Sequence, residues 1–178
     1  MNAPAADEGA GHRAGDGDLG ERIGQALRGR AVATAESFTV ARVSQALSAV
    51  VGSGEWFRGS VLAYHRDVKY RVLHVPPGPV VTARTAEAMA VNVARMFDAG
   101  VSVATTGAAG PSSQDGADPG TVFVAWFVDG SVDVEQHDLP GGPSEVIDAA
   151  VRVALEGLLA RLERRASSPP PDRVADSA

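Results

Sequence analysis

Short runs rich in alanine and β-branched residues alternate with segments of helical period along most of this chain, and that alternation restricts it to an α/β architecture. Leu19, Ile23 and Leu27 recur at helical spacing behind Asp18, which reads as the helix cap, and Gly29 is placed to end the helix. Residues 31–35 follow as a buried strand. After Ser37, the spacing of Val40, Val43, Leu47 and Val50 predicts a second helix that stops at Gly52-Ser53-Gly54, and Trp56-Phe57 return the chain to the core. Residues 59–64 read as a strand, and a short helix carrying Lys69 and Leu73 runs up to Pro76-Pro77-Gly78-Pro79.

Thr82 is placed to cap the next helix, whose Ala86, Met89, Ala90, Val93 and Phe97 form an apolar stripe suited to a core. Residues 101–105 make a third strand. A loop over 106–119, rich in Gly, Pro, Ser and Asp, is long for a compact domain, which marks it as functional or mobile. Residues 121–128 and 131–137 flank Asp129-Gly130, a two-residue hairpin signal. A last helix over 144–165 presents Val146, Ala150, Val153, Leu155 and Leu158 to the core. This order predicts a three-layer α/β/α sandwich around a mixed, mostly parallel sheet. The folded unit is expected over residues 18–165, with residues 1–17 and 166–178 as disordered tails, the latter around Ser167-Ser168-Pro169-Pro170-Pro171.

Charge and residue usage exclude several kinds of function. A net charge of −6 and scattered arginines argue against nucleic acid as a partner. The absence of cysteine excludes disulfides, thiolate metal sites and a cysteine nucleophile, and His12, His65, His74 and His137 lack helical metal-ligand spacing, so no metal site is expected. No apolar run is long enough to cross a membrane as a helix, and no secretory leader is evident, so the expectation is a soluble, cytoplasmic protein.

The candidate chemistry lies in three turns that follow strands: 36–39, 64–69 and 106–111. In open α/β sheets, ligands collect beyond the carboxyl ends of the strands. A single lysine, Lys69, stands against fifteen arginines. A desolvated lysine can lose its proton and serve as a base, which arginine cannot, and a serine needs such a base to attack a carbonyl. Ser37 and Lys69 are thus the candidate nucleophile and base. Each residue also has a plain structural reading, Ser37 as a helix N-cap and Lys69 as a solvated helix residue. Thr106-Gly107-Ala108-Ala109-Gly110-Pro111 lacks the phosphate-loop lysine and the dinucleotide fingerprint, and by itself reads as a tight turn.

Taken in order, Ala33-Thr34-Ala35-Glu36-Ser37, Trp56-Phe57, Tyr64 with Lys69 five residues later, Thr106-Gly107, Ala109-Gly110-Pro111 and Gly120-Thr121-Val122 resemble the CinA C-terminal domain family of nicotinamide-nucleotide amidases. The resemblance implies deamidation of nicotinamide mononucleotide to nicotinate mononucleotide and ammonia by a serine-lysine mechanism, with no cofactor or metal. It implies Ser37, Lys69, Tyr64 and Thr106 as catalytic residues, with Tyr64 and Thr106 orienting the lysine or bonding the nucleotide. Glu36, Phe38, Thr39, Gly107, Ala109 and Gly110 are implied to bind substrate. A small-molecule nucleotide is the expected partner, and a homo-oligomer is left open.

Three departures accompany the match. Where the family carries two glycines after the serine and threonine, this chain has Val40-Ala41. Its Ser-Asn after the tyrosine is replaced by His65-Arg66, and its Gly-Asp-Arg near the last helix by Gly141-Gly142-Pro143. An alternative of a different class follows: a nucleotide-binding or assembly module with altered or lost amidase activity.

Overall fold

A computed structural model describes residues 14–167, with side chains placed from Asp18 onward. Residues 1–13 and 168–178 lie outside the described residues, and with them most of both expected tails. Helix α1 spans Ala14–Leu27, so it starts four residues before the expected cap, and Asp18 sits inside it. The remaining order is β1 (Val32–Glu36), α2 (Arg42–Ser48), a 3-10 turn (Ser53–Glu55), β2 (Phe57–Leu62), α3 (Arg66–Val72), α4 (Ala83–Met96), β3 (Val101–Gly107), β4 (Thr121–Val128), β5 (Ser131–Asp138) and α5 (Pro143–Ser167).

The five strands form one sheet in the order β2-β1-β3-β4-β5. β1 is parallel to both β2 and β3, whereas β3-β4 and β4-β5 pair antiparallel, so β4 alone runs against the rest. The mixed, mostly parallel sheet of the sequence reading is the observed one.

Period-two alternation sorts the strand residues between two helical layers. Val32, Val101, Val103, Val124 and Trp126 face α1, α2 and α5, and pack on Ile23, Leu27, Leu47, Leu155 and Leu158. Ala33, Ala35, Ala104 and Ala125 face the other way, and these small side chains meet Ala86, Met89, Ala90 and Val93 of α4 with Leu73 beside them. Ser102 Oγ, on that same face, donates to Ala90 O at 2.7 Å, which leaves its hydroxyl satisfied in a dry layer. On the opposite face Trp126 Nε1 donates to Ala154 O at 2.8 Å, and the Arg161 guanidinium lies 3.7 Å over the indole.

The local punctuation acts as its chemistry requires. Thr82 Oγ1 accepts the Thr85 N–H at 3.1 Å and caps α4. Asp129 and Gly130, at φ of 48° and 89°, make the two-residue turn that sets Val128 opposite Ser131. Gly141-Gly142-Pro143 starts α5: Pro143 takes the first helical position, where its missing N–H costs nothing, and Glu145 reaches back to accept the Gly142 N–H at 2.8 Å.

The chain leaves β1 through α2 on one face to reach β2, then returns through α3 and α4 on the other face to β3. The strand order therefore reverses at β1, and the carboxyl ends of β1, β2 and β3 open on one edge, the place where open α/β sheets bind ligands.

Candidate active site

Ser37 follows β1 directly and its N–H donates to Thr105 O at 3.2 Å, which extends the β1-β3 ladder by one bond and fixes the serine at the sheet edge. Lys69 lies in the second turn of α3 with 0% exposure, although it carries the only lysine side chain of the chain. Its Nζ is 2.8 Å from Ser37 Oγ, 2.7 Å from Ala63 O and 3.3 Å from Tyr64 O. A neutral amine has two protons and one lone pair. With the two carbonyl oxygens taking the protons, the lone pair is left for the serine hydroxyl.

The electrostatics bring that neutral form within reach, so that it predominates above about pH 8. Burial first, and then the Arg66 guanidinium, against an opposing pull from the Asp115 carboxylate, together push the Lys69 amine down from 10.5 to about 8. Arg66 sits three residues before Lys69, one turn along the same side of α3.

The turn after Ser37 is not the first turn of a helix, contrary to the reading of Val40 as part of a helical stripe. α2 starts only at Arg42, and Val40 and Ala41 take left-handed conformations at φ 49° and 64°. Val40 is accordingly 49% exposed. Its N–H donates to Ser37 O at 3.1 Å, which closes a tight turn around the serine. The resemblance implies glycine at these two positions, the residue that adopts positive φ without a steric penalty.

Glu36 has a structural task at the start of α2. Its carboxylate is fully buried and accepts from Thr39 Oγ1 at 2.7 Å, Val43 N at 3.1 Å, Ser44 N at 2.8 Å and the Ser44 hydroxyl. Val43 and Ser44 are the second and third residues of α2, so Glu36 caps a helix whose own cap residue, Ala41, has no side chain able to do it. Thr39 is buried as well, donating to Glu36 and accepting from Thr105 Oγ1 at 2.8 Å. Phe38 turns inward against Val122, Val146 and Ala150. The carboxylate, the hydroxyl and the ring are thus used in holding the turn.

The other expected residues divide similarly. Tyr64 offers its backbone carbonyl to Lys69 while its side chain is 69% exposed at the rim. Thr106 Oγ1 donates to Val80 O at 2.7 Å and does not reach the lysine. Gly107 leaves room for β4, because a Cβ there would come within 2.7 Å of Val122. Ala109 packs beside Phe38 in the small third cluster, and Gly110 takes φ 95°.

Three contributors were not anticipated: the Ala63 carbonyl, Asp115 and Val80. Asp115 and Gly116, at φ 53° and 82° between the paired Gln114 and Ala117, form a second two-residue turn inside the long loop. The dipeptide Asp-Gly was its signal, masked by the lack of flanking strands. Among the described residues no group of three or more His, Cys, Asp or Glu could hold a metal, and no helix is long and apolar enough to cross a membrane.

The arrangement of strands and turns is matched among known proteins. The model of the CinA C-terminal domain family matches residues 17–162. This chain belongs to that family. It is 37% identical over 150 residues to a CinA-like protein of Gemmatimonas aurantiaca, covering 79% of this chain and 34% of that one. It is 35% identical over 131 residues to a CinA-like protein of Flavobacterium psychrophilum, covering 70% of this chain and 31% of that one. The chain thus spans about a third of the length of these curated relatives. Among solved structures, a CinA superfamily protein from Enterobacter cloacae aligns with a TM-score of 0.80 at 27% identity, over 91% of this chain and 98% of that one. The competence/damage inducible protein CihA of Agrobacterium tumefaciens aligns with a TM-score of 0.80 at 29% identity, over 87% and 99%.

Proposed function

We propose that this CinA-family chain is an amidohydrolase that converts nicotinamide mononucleotide to nicotinate mononucleotide and ammonia, with Ser37 as nucleophile and Lys69 as base. The observation that carries the reading is the buried amine 2.8 Å from Ser37 Oγ, backed by the Ala63 and Tyr64 carbonyls, which once neutral can turn its lone pair to the serine. Ser37 Oγ attacks the carboxamide carbon as its proton passes to Lys69 Nζ. The oxyanion needs donors other than the Ser37 N–H, which is engaged with Thr105 O. The Phe38 and Thr39 N–H groups have no acceptor among the described residues and are the candidates. Lys69 then delivers its proton to the departing nitrogen, ammonia leaves, and a water deprotonated by the same amine releases the acid and regenerates the serine.

In this reading the partner is a small-molecule nucleotide, no cofactor takes part, and the protein works in the cytoplasm as a monomer or homo-oligomer. The second reading, a binding module with altered chemistry, draws on Val40, whose exposed side chain stands at the serine turn where the family has glycine. Ammonia release from purified protein, measured across nicotinamide nucleotides and related amides with Ser37→Ala as control, separates the two. Release that depends on Ser37 supports the amidase. Nucleotide binding without release supports the module.

A further inference from the structure

Asp115, at the tip of the Asp-Gly turn, has both carboxylate oxygens engaged across elements distant in sequence. Oδ1 accepts from Arg66 on α3 at 2.9 Å, and Oδ2 accepts the Val80 N–H at 2.7 Å. The Val80 carbonyl is held at the same time by Thr106 Oγ1 at 2.7 Å. Val80 is thereby gripped on both its backbone polar groups, by the end of β3 and by the β3-β4 connection, and Arg66 is tied to that connection one turn ahead of Lys69. The Asp115 side chain is 12% exposed and Arg66 49%, so the pair lies at the surface, and the Val80 N–H is what anchors the carboxylate.

We propose that Asp115 is a positioning residue for the Ser37–Lys69 pair, acting through Arg66: its carboxylate clasps the β3-β4 connection to α3 and holds the guanidinium beside the lysine. The inference rests on the reading of Lys69 as the working base, but the clasp itself is tested without turnover.

The charged groups around the lysine make the effect separable. Arg66 on its own helix lowers the amine, and Asp115 on the loop, besides holding Arg66, exerts a smaller opposing pull. Glu36, at the end of β1, has its oxygens taken by the start of α2. His65, which caps α3, and Asp67, in its first turn, stand 3.8 Å from each other.

Because Lys69 is the sole lysine, protein labelled with 13C at lysine Cε gives one resonance whose pH titration reports this amine alone. Arg66→Gln raises the midpoint in the wild-type background. In the Asp115→Asn background, where the guanidinium is no longer held, the same substitution is expected to shift it by less than about half as much, since residues acting through one another are not additive. In parallel, amide exchange at Val80 is expected to accelerate in Asp115→Ala. Equal Arg66→Gln shifts in the two backgrounds, or unchanged exchange at Val80, overturn the proposal. An amidase assay that fails while the titration cycle behaves as expected counts against the catalytic reading and leaves the clasp standing.

Discussion

Lys69 Nζ and Ser37 Oγ meet at 2.8 Å although 32 positions separate them in the chain, because β1 and β2 are adjacent parallel strands and both residues follow the same edge of the sheet. The pairing Glu36↔Leu62 sets the two strand ends level. The Ala63 carbonyl just beyond β2 then fixes the amine from one side while the serine meets it from the other.

If this pair carries the chemistry, Lys69→Arg, which keeps the charge, and Lys69→Met, which keeps the approximate length, each lower kcat/KM for ammonia release by about 10² to 10⁴-fold, the range of general base contributions. Ser37→Ala does the same. Far-UV circular dichroism establishes that the variants are folded, and turnover comparable to wild type in any of them assigns the chemistry elsewhere.

The lysine must be neutral to accept the serine proton, so kcat/KM rises with pH and levels off above about 8, where the Lys69 amine titrates. Stability has its own pH signature. Between about 8 and the unfolded value of 10.5 the folded protein binds fewer protons than the unfolded chain at this site. Stability therefore rises with pH through that window, and the full penalty of burying the charged amine applies below it. Urea midpoints of wild type and Lys69→Met, compared at the two ends of the window, check the sign: the wild type gains relative to the variant as pH increases.

Val40→Gly should stabilise the protein by about 1 kcal/mol, because a β-branched residue at φ 49° is strained by roughly 1–2 kcal/mol and glycine gives back part of that in chain entropy. Ala41→Gly should lie closer to zero, its side chain being smaller. These positions are outside the helix, so no helix-propensity cost applies. Denaturant midpoints measure both, and calorimetry with nicotinamide mononucleotide tests whether the double variant also binds more tightly.

Glu36→Gln is expected to destabilise by about 2 kcal/mol or more, since an amide NH₂ then faces donors that the carboxylate oxygens had satisfied. A variant with unchanged stability and raised KM would assign Glu36 to substrate binding.

Gly157→Ala places a Cβ 2.3 Å from the Trp126 ring. Overpacking of about 1–3 kcal/mol should exceed the gain of about 1 kcal/mol in helix propensity, so the variant melts lower, as calorimetry can measure.

Much of the fold was legible because its signals are local. Helical and strand periods, the Thr82 cap and the Asp129-Gly130 turn each act over a few residues, and they fixed the order of elements and hence the mixed sheet. Ser37 and Lys69 could be singled out by residue type and by their places after strands. The start of α1 was misplaced because Asp18 is a good cap by type, while the helix continues to Ala14.

What the sequence determined by itself was therefore the set of elements and the few residues able to do nucleophile-and-base chemistry. Tertiary structure alone decided how the remaining polar residues are used. Val40 falls at helical spacing yet leaves the helix, because Glu36 caps α2 from the end of β1 and holds the turn in a conformation that local preference opposes. Asp115 gains its role only when a loop far along the chain comes down on α3. A buried hydrogen bond is satisfied by whichever donor or acceptor the packing brings within about 3 Å, and that choice depends on contacts across the sheet which no stretch of neighbouring residues encodes.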